Sequence, residues 1–291
     1  GLLAQNEAEP KKDRFQGFTI EAEIPRLPVI SQDVTGTCWS FATQSFLEAE
    51  PARIHKKSVD LSEMYVVYHG YLEKCRRYAR LHGEAQLSEG GLSHDVIELV
   101  RLYGVVPHDS YTGLVDGDTT HDHAELFKTI ELLMKPLGEA KKLPAKWEKV
   151  IRGVLDAYMG TTPIAVEFEG KQITPKQYAD DVLKIPYDDY VELMSYSYTP
   201  YWQHGELLVP DNWMRNQRYW NVPVDAMLDS LDHAIRSGHS VAVDMDVSER
   251  GFAMPKGIAK LPAALERAPI TQDLRDKMFD SRETEDDHLM H

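Results

Sequence analysis

The sequence predicts an α+β fold in which helices fill the first half of the 291-residue chain and strands come later. Two observations indicate this order. Apolar residues recur at helical spacing between residues 62 and 81. Residues 163–170 and 240–247 instead alternate apolar and polar side chains, as half-buried strands do. A chain of this length can form one large domain or two lobes.

The helices of the first half are predicted from their ends. A helix over residues 38–50 is expected to stop before Pro51, which lacks a backbone N–H. Ser62 can cap a second helix that continues to about residue 81. Ser93 can cap a third helix, which Gly104 closes.

Helical patterns resume after a polar loop at residues 107–123. A Thr-Pro-Lys-Gln sequence at 174–177 has the pattern of a capping box, with proline at the first helical position. The other helices are predicted at residues 124–134, 145–160 and 224–238, the last of which is closed by Gly238.

Composition excludes several classes of protein. The 32 basic and 47 acidic residues give a net charge of −15, which repels phosphate backbones, so we expect no nucleic-acid partner. No apolar stretch approaches the roughly 20 residues that span a membrane. Two cysteines cannot make a disulfide framework, and Cys75 lies on the apolar face of the second helix, where a buried thiol is expected.

The amino-terminal residues leave the compartment open. The sequence Leu-Leu-Ala-Gln at residues 2–5 follows no charged region and no full apolar region, so it is not an intact signal peptide. The absence of disulfides favours the cytoplasm. If residues 2–5 are the end of a signal peptide, the protein is exported; a frayed polar arm is the alternative.

Cys38 stands where the first helix begins, after a turn that Gly36 allows. A helix N-terminus or a cationic neighbour lowers the pKa of a thiol and makes it a nucleophile, and a backbone N–H at the helix start can hold a developing oxyanion. Gln32 carries an amide that could supply a second donor. The alternative is a small buried cysteine with a surface glutamine six residues before it.

The string Gln32-x5-Cys38-Trp-Ser-Phe resembles the active-site segment of the papain superfamily, in which glutamine holds the oxyanion and cysteine is the nucleophile. Residues 61–83, 88–114 and 216–252 are similar to the bleomycin hydrolase and aminopeptidase C branch. The resemblance implies a papain-like fold with a helical left lobe, a β-containing right lobe, a cleft between them and a large helical insertion. Thr35 replaces a structural cysteine of extracellular members, which suits a reducing compartment.

The resemblance also divides the chain. It implies one catalytic unit with an amino-terminal arm (1–30), a helical lobe with the nucleophile (31–115), an insertion (116–225) and the start of the β lobe (226–291), whose carboxy-terminal part is expected to be missing. Gly90 and Gly91 match the glycine pair that lines the non-primed side of the papain cleft, and with Trp39 they are the candidate substrate-binding residues. A plain loop before Ser93 is the alternative for the glycines.

The catalytic histidine of the family follows an aspartate and opens a strand, which places His288 at that position and leaves His291 as the second candidate. The family's third member, an asparagine after the histidine, has no counterpart among Asn6, Asn212, Asn216 and Asn221. Metal-ligand residue types also occur at 121–123 and 286–291, without a metal signature such as His-Glu-x-x-His, so we expect no metal site.

The sequence therefore predicts a cysteine peptidase, and an aminopeptidase in particular, with Cys38 as nucleophile, His288 as base and Gln32 as oxyanion donor. Peptides are the expected substrates, no cofactor is required, and the branch suggests a homo-oligomer. Whether the enzyme is an exopeptidase or an endopeptidase is not decided by these residues. The alternative function is a catalytically weak papain-like protein that binds peptides.

Overall fold

Helices form the first half of the chain, as predicted. The computed structural model describes residues 19–291 except 57, 250, 254, 256, 261–268 and 286. The helices are α1 (Cys38–His55), α2 (Glu63–Arg80), α3 (Ser93–Tyr103), α4 (Ala124–Gly138), α5 (Trp147–Met159), α6 (Pro175–Gln177), α7 (Val224–Arg236) and α8 (Gln272–Asp280). A π-helical turn continues α6 over Tyr178–Leu183, and a 3₁₀ turn lies at His108–Ser110.

Nine short strands follow among the described residues, all of them in the second half of the chain. They are β1 (Val166–Phe168), β2 (Lys171–Ile173), β3 (Leu193–Met194), β4 (Gln203–Gly205), β5 (Tyr219–Asn221), β6 (Val243–Met245), β7 (Phe252–Ala253), β8 (Ile258–Ala259) and β9 (His288–Met290). Antiparallel pairs join β1 to β2, β6 to β9 and β7 to β8, while β5 lies between parallel β3 and antiparallel β4. The architecture is thus mixed α and β with small sheets.

Two predicted helix ends were wrong by a few residues. Helix α1 continues through Pro51 to His55, and the Lys56 N–H closes it on the Pro51 carbonyl. Buried residues up to Pro51, such as Leu47, hold α1 against the core, and the turn after Pro51 continues it despite the missing proline donor. Helix α3 is capped by the Asp95 carboxylate, which accepts a hydrogen bond from Leu92 N at 2.8 Å, so Ser93 is not the capping residue.

Other predicted ends were confirmed. Ser62 Oγ accepts from Tyr65 N at 3.1 Å and caps α2. Thr174 and Gln177 form the reciprocal capping box that begins α6. The first predicted strand is shorter than expected, because β1 begins at Val166 and Ile164 before it is exposed.

Helix α2 forms the centre of the core. Tyr71, Leu72 and Cys75 have no exposed surface, so the predicted burial of the Cys75 thiol was confirmed. Lys74 is also fully buried on this helix, which is unusual for a charged side chain and points to a specific set of partners. Among the residues described, no helix is both long and apolar enough to cross a bilayer.

Candidate active site

Cys38 is the first residue of α1. The carbonyl of Thr37 before it accepts hydrogen bonds from Ser40 N at 2.9 Å and Phe41 N at 3.3 Å, which starts the helical ladder. The first amides of a helix have no acceptor within it, so those at Cys38 and Trp39 are directed out of α1. Cys38 as a residue is half-buried.

Strand β9 packs against α1 and carries the predicted base. The backbone N–H of Leu289 lies near enough to the Cys38 thiol to lower its pKa. His288 is the preceding residue of β9 and is half-buried, so its backbone is close to the start of α1 although most of the chain separates it from Cys38. Pairing of His288 with Met245 on β6 fixes the position of this end of the strand.

His291, which follows β9, contacts a later part of α1 than Cys38. Its Nδ1 is 2.8 Å from Ser45 Oγ, and its ring meets Phe46 edge-on at 6.2 Å between centroids. Ser45 is seven residues after Cys38, which is about 10 Å along a helix. This geometry favours His288 over His291 as the partner of the thiol.

The electrostatic surroundings of Cys38 oppose ionisation. Burial raises the pKa of the thiol, and the carboxylates of Asp244 and Asp211 raise it further, while the backbone amides of Leu289 and Trp39 lower it. Together these effects raise the pKa of Cys38, although the sequence predicts that a helix start lowers it. An ionised thiol at this position needs a cationic partner.

Gln32 lies in the turn before the nucleophile and is half-buried. Its side-chain amide donates to the Thr35 carbonyl at 2.6 Å, and Thr35 Oγ1 donates to the Gln32 carbonyl at 2.8 Å. Thr35 thus closes the turn by hydrogen bonding. An amide has two N–H donors, so one of those in Gln32 is engaged by the turn and the other is available to an oxyanion.

The loop that contains the glycine pair is fastened to the nucleophile helix. Trp39 Nε1 donates to the Glu89 carbonyl at 2.9 Å, and Gly36 N donates to Glu89 Oε2 at 2.8 Å. Buried Lys74 donates to the carbonyls of Ser88 at 2.9 Å, Glu89 at 3.3 Å and Gly90. These contacts explain why the charge of Lys74 is tolerated inside the protein.

Trp39 supports this loop from below. Its indole has no exposed surface, so the direct contact with substrate that was predicted for it is not available in this arrangement. A Cβ on Gly91 would lie 2.8 Å from Asp95 Oδ2 and 3.1 Å from the Trp39 ring. Glycine is therefore required at 91 by close packing, and Trp39 acts by positioning it.

The predicted histidine clusters do not form a metal site among the described residues. His123 is buried, its Nδ1 is 3.0 Å from the Tyr71 hydroxyl, and burial lowers its pKa to about 4. Asp122 accepts from Ala124 N at 3.0 Å, and residues 116–122 of the predicted polar loop are largely exposed, while His123 at its end is buried. Asp286 lies outside the described residues.

Known proteins resemble this fold and its sequence. No protein-family model matches the chain. It is similar to aminopeptidase G of Lactobacillus delbrueckii subsp. lactis, with 23% identity over 264 residues. That match covers 77% of this chain but 60% of the relative, so the chain spans less than two thirds of that protein's length.

A solved structure gives the second comparison. The crystal structure of PepW from Lactobacillus rhamnosis HN001 (DR20) has a TM-score of 0.75 at 18% identity, over 93% of this chain and 71% of that one. The chain shares its fold with PepW.

Several groups near Cys38 had no signal in the sequence. Asp211 and Asp244 act on the thiol from the segment before β5 and from β6, and burial together with the charges of Asp211 and Asp287 raises the pKa of Asp244 to about 6. Lys74 looks like a surface residue of an amphipathic helix until its burial is known. A lone aspartate or lysine has no motif, so only the tertiary contacts single these residues out.

The internal asparagines have structural roles. Asn221 Nδ2 donates to the carbonyls of Tyr196 at 2.8 Å and Thr199 at 2.6 Å. Asn212 and Asn216 are also buried and hydrogen-bonded to backbone groups of their own loop. Among the described residues these asparagines support loops, and Asn6 lies outside the described part of the chain.

Proposed function

We propose that this chain carries the nucleophile and base of a papain-like cysteine peptidase related to bleomycin hydrolase and aminopeptidase C, acting as an aminopeptidase on peptides. The observation that carries the proposal is the contact of β9 with the start of α1, where the Leu289 amide meets the Cys38 sulfur beside His288. The Gln32-x5-Cys38 spacing and the resemblance to aminopeptidase G support the same conclusion.

The proposed reaction follows from these positions. His288 takes the proton of Cys38, and the sulfur attacks the scissile carbonyl. The backbone N–H of Cys38 and the Gln32 amide hold the oxyanion. The imidazolium then protonates the leaving amine, and the neutral ring activates water to release the acyl group. Because burial and two carboxylates raise the pKa of the thiol, the thiolate depends on the positive charge of His288.

The test is the pH dependence of Cys38 alkylation by iodoacetamide in the full-length protein, compared with His288→Ala. We expect rapid alkylation at mildly acidic pH that is lost in the variant, because removal of the imidazolium leaves a thiol whose pKa is raised. His291→Ala is the matched control and should keep the profile, since its imidazole is bonded to Ser45. An unchanged profile in His288→Ala contradicts the assignment of the base.

Peptide hydrolysis tests the nucleophile directly. Cys38→Ala should abolish cleavage of aminoacyl coumarin amides, whereas Cys75→Ala should retain it because that thiol is buried in the core. Cleavage that survives Cys38→Ala would reject a thiol mechanism.

Peptide binding without turnover is the alternative function. It is favoured by one observation, the upward shift of the Cys38 pKa that burial and the carboxylates of Asp244 and Asp211 cause. Calorimetric binding of a peptide by the wild-type protein, with no product by mass spectrometry and no alkylation at acidic pH, would establish this alternative.

A further inference from the structure

The Asp211 side chain lies against Gly90, the first residue of the predicted substrate-binding glycine pair. An ideal Cβ on Gly90 would lie 2.0 Å from Asp211 Oδ2, 2.5 Å from its Cγ and 2.6 Å from its Oδ1. The carboxylate therefore rests directly on the Gly90 Cα. An extended peptide that pairs with the backbone here cannot continue past this point without displacing the side chain.

The backbone around Asp211 is held in place. Asn212 N donates to the Val209 carbonyl at 3.2 Å, and the Asn212 amide donates to the Leu207 carbonyl at 2.9 Å. The next residue, Trp213, donates from Nε1 to Asp95 Oδ2 at 2.7 Å. The two residues that follow Asp211 are thus anchored, which restricts the movement of its backbone.

The Asp211 carboxylate has few hydrogen-bond donors: burial raises its pKa, and the charge of Lys74 and a hydrogen bond from Ser88 lower it. Ser88 Oγ donates to Oδ1 at the long distance of 3.5 Å. The nearest cation, Lys74, is fully buried and directs its Nζ at the backbone carbonyls of the 88–90 loop. Within the described residues, no other donor reaches the Asp211 carboxylate.

Asp211 is also close to the reacting sulfur. The charges of Asp244, on β6, and of Asp211 both act on Cys38 and raise its pKa. Asp211 is thus a carboxylate near the nucleophile, beside the glycine pair expected to bind the non-primed residues, and it has few hydrogen-bond donors. Such a carboxylate complements the charge of the ammonium group of a substrate with a short acyl segment.

We propose that Asp211 binds the free α-ammonium group of the substrate and ends the non-primed side of the site, which restricts cleavage to residues near the amino terminus. This inference rests on the proposed peptidase function and names the residue that would make it an aminopeptidase. Peptides with a blocked amine lack the charge that Asp211 pairs with and place an acyl group against the carboxylate.

The experiment uses the full-length protein and a panel of aminoacyl and dipeptidyl coumarin amides, each with a free and an N-acetylated amine. Wild type should prefer the free amines. In Asp211→Asn, kcat/KM for free amines should fall on the order of tenfold or more, mainly through KM, since a charge-assisted hydrogen bond becomes a neutral one. Activity on the acetylated substrates should be kept or rise, so the preference collapses.

Asp244→Asn is the matched control. It removes the other carboxylate that acts on Cys38, so it reproduces the effect of lost charge on the thiol without touching Gly90. The preference for free amines should survive in this variant. A preference that collapses equally in both variants would show a general effect of charge and would overturn the assignment to Asp211.

Iodoacetamide alkylation of Cys38 in each variant keeps the test interpretable. Alkylation that persists in Asp211→Asn shows a folded site, so an unchanged substrate preference in that protein rejects the inference and leaves the peptidase proposal intact. Wild type that cleaves free and acetylated substrates equally rejects it as well. Wild type that cleaves neither rejects the proposed function, and the inference with it.

Discussion

At the scale of single residues, the site is defined by side chains that restrict one another. Cys38 begins a helix, which by itself lowers the pKa of a thiol, yet burial and the carboxylates of Asp211 and Asp244 raise it overall. In the proposed mechanism, this balance makes ionisation of Cys38 depend on the imidazolium of His288. Gly90 shows the same mutual restriction, because its missing side chain is the space that Asp211 occupies.

Gly90→Ala should destabilise the protein because the added methyl group would meet Asp211 Oδ2 at 2.0 Å. We expect a loss of about 1–3 kcal/mol in the free energy of unfolding, as for other overpacked sites. In an Asp211→Ala background the same change should cost much less, since the clashing atoms are gone. Urea unfolding of the four proteins of this cycle measures the coupling.

Gly153→Ala controls for the added methyl group, because nothing lies within 4 Å of a Cβ at that position. It should leave stability unchanged or slightly raise it. Equal costs of Gly90→Ala with and without Asp211 would mean that the carboxylate does not rest on Gly90.

At the scale of elements, close backbone contacts position the front helices. Gly104 ends α3 with φ +80°, and a Cβ there would lie 2.1 Å from the Pro175 carbonyl carbon at the start of α6. The Gly104 N–H donates to the Val100 carbonyl at 2.8 Å. The prediction that Gly104 ends this helix was therefore confirmed. Its close contact with α6 is a second reason why glycine is needed at this position.

Gly104→Ala should cost more than a comparable change at Gly117. Both glycines have positive φ, but nothing lies within 4 Å of a Cβ at Gly117. We expect about 1 kcal/mol from left-handed strain at Gly117 and roughly 2 kcal/mol more at Gly104, where fixed backbone is in the way. Thermal unfolding of the two variants tests this, and equal losses would mean that α3 and α6 can separate freely.

At the scale of the whole molecule, acidic residues outnumber basic ones, and some of the acidic side chains are buried. Glu48 on α1 and Glu63 at the start of α2 are buried, and with Asp60 their oxygens lie within 4.8 Å of one another. Glu48 Oε1 accepts from Leu61 N at 2.8 Å. Burial, with smaller contributions from Glu63 and Asp60, raises the pKa of Glu48 to about 8.

This shift makes stability depend on pH. A folded pKa above the ordinary value means that the folded state holds a proton that the unfolded chain has lost, so stability falls as pH rises from about 4.5 to about 8. Glu48→Gln keeps the acceptor for Leu61 N but cannot ionise. It should unfold less readily than wild type at pH 8, by on the order of 3 kcal/mol, with little difference at pH 4.

Glu131→Gln changes an exposed glutamate and serves as the control, for which we expect no such dependence. Urea unfolding from pH 4 to pH 9 compares the three proteins. If Glu48→Gln is less stable than wild type at pH 8, the prediction is contradicted. That result would mean that a group bound by Glu48, Asp60 and Glu63 stabilises the ionised carboxylate.

Local patterns in the sequence determined the helical first half, the caps at Ser62 and Thr174, and the choice of Cys38 and His288 as candidates, because helix ends and motif spacings are properties of neighbouring residues. The continuation of α1 past Pro51, the burial of Trp39 and Lys74, and the placement of Asp211 over Gly90 were decided only by the tertiary structure. Each of these depends on contacts between distant segments, and such contacts leave no periodic or local signal in the chain.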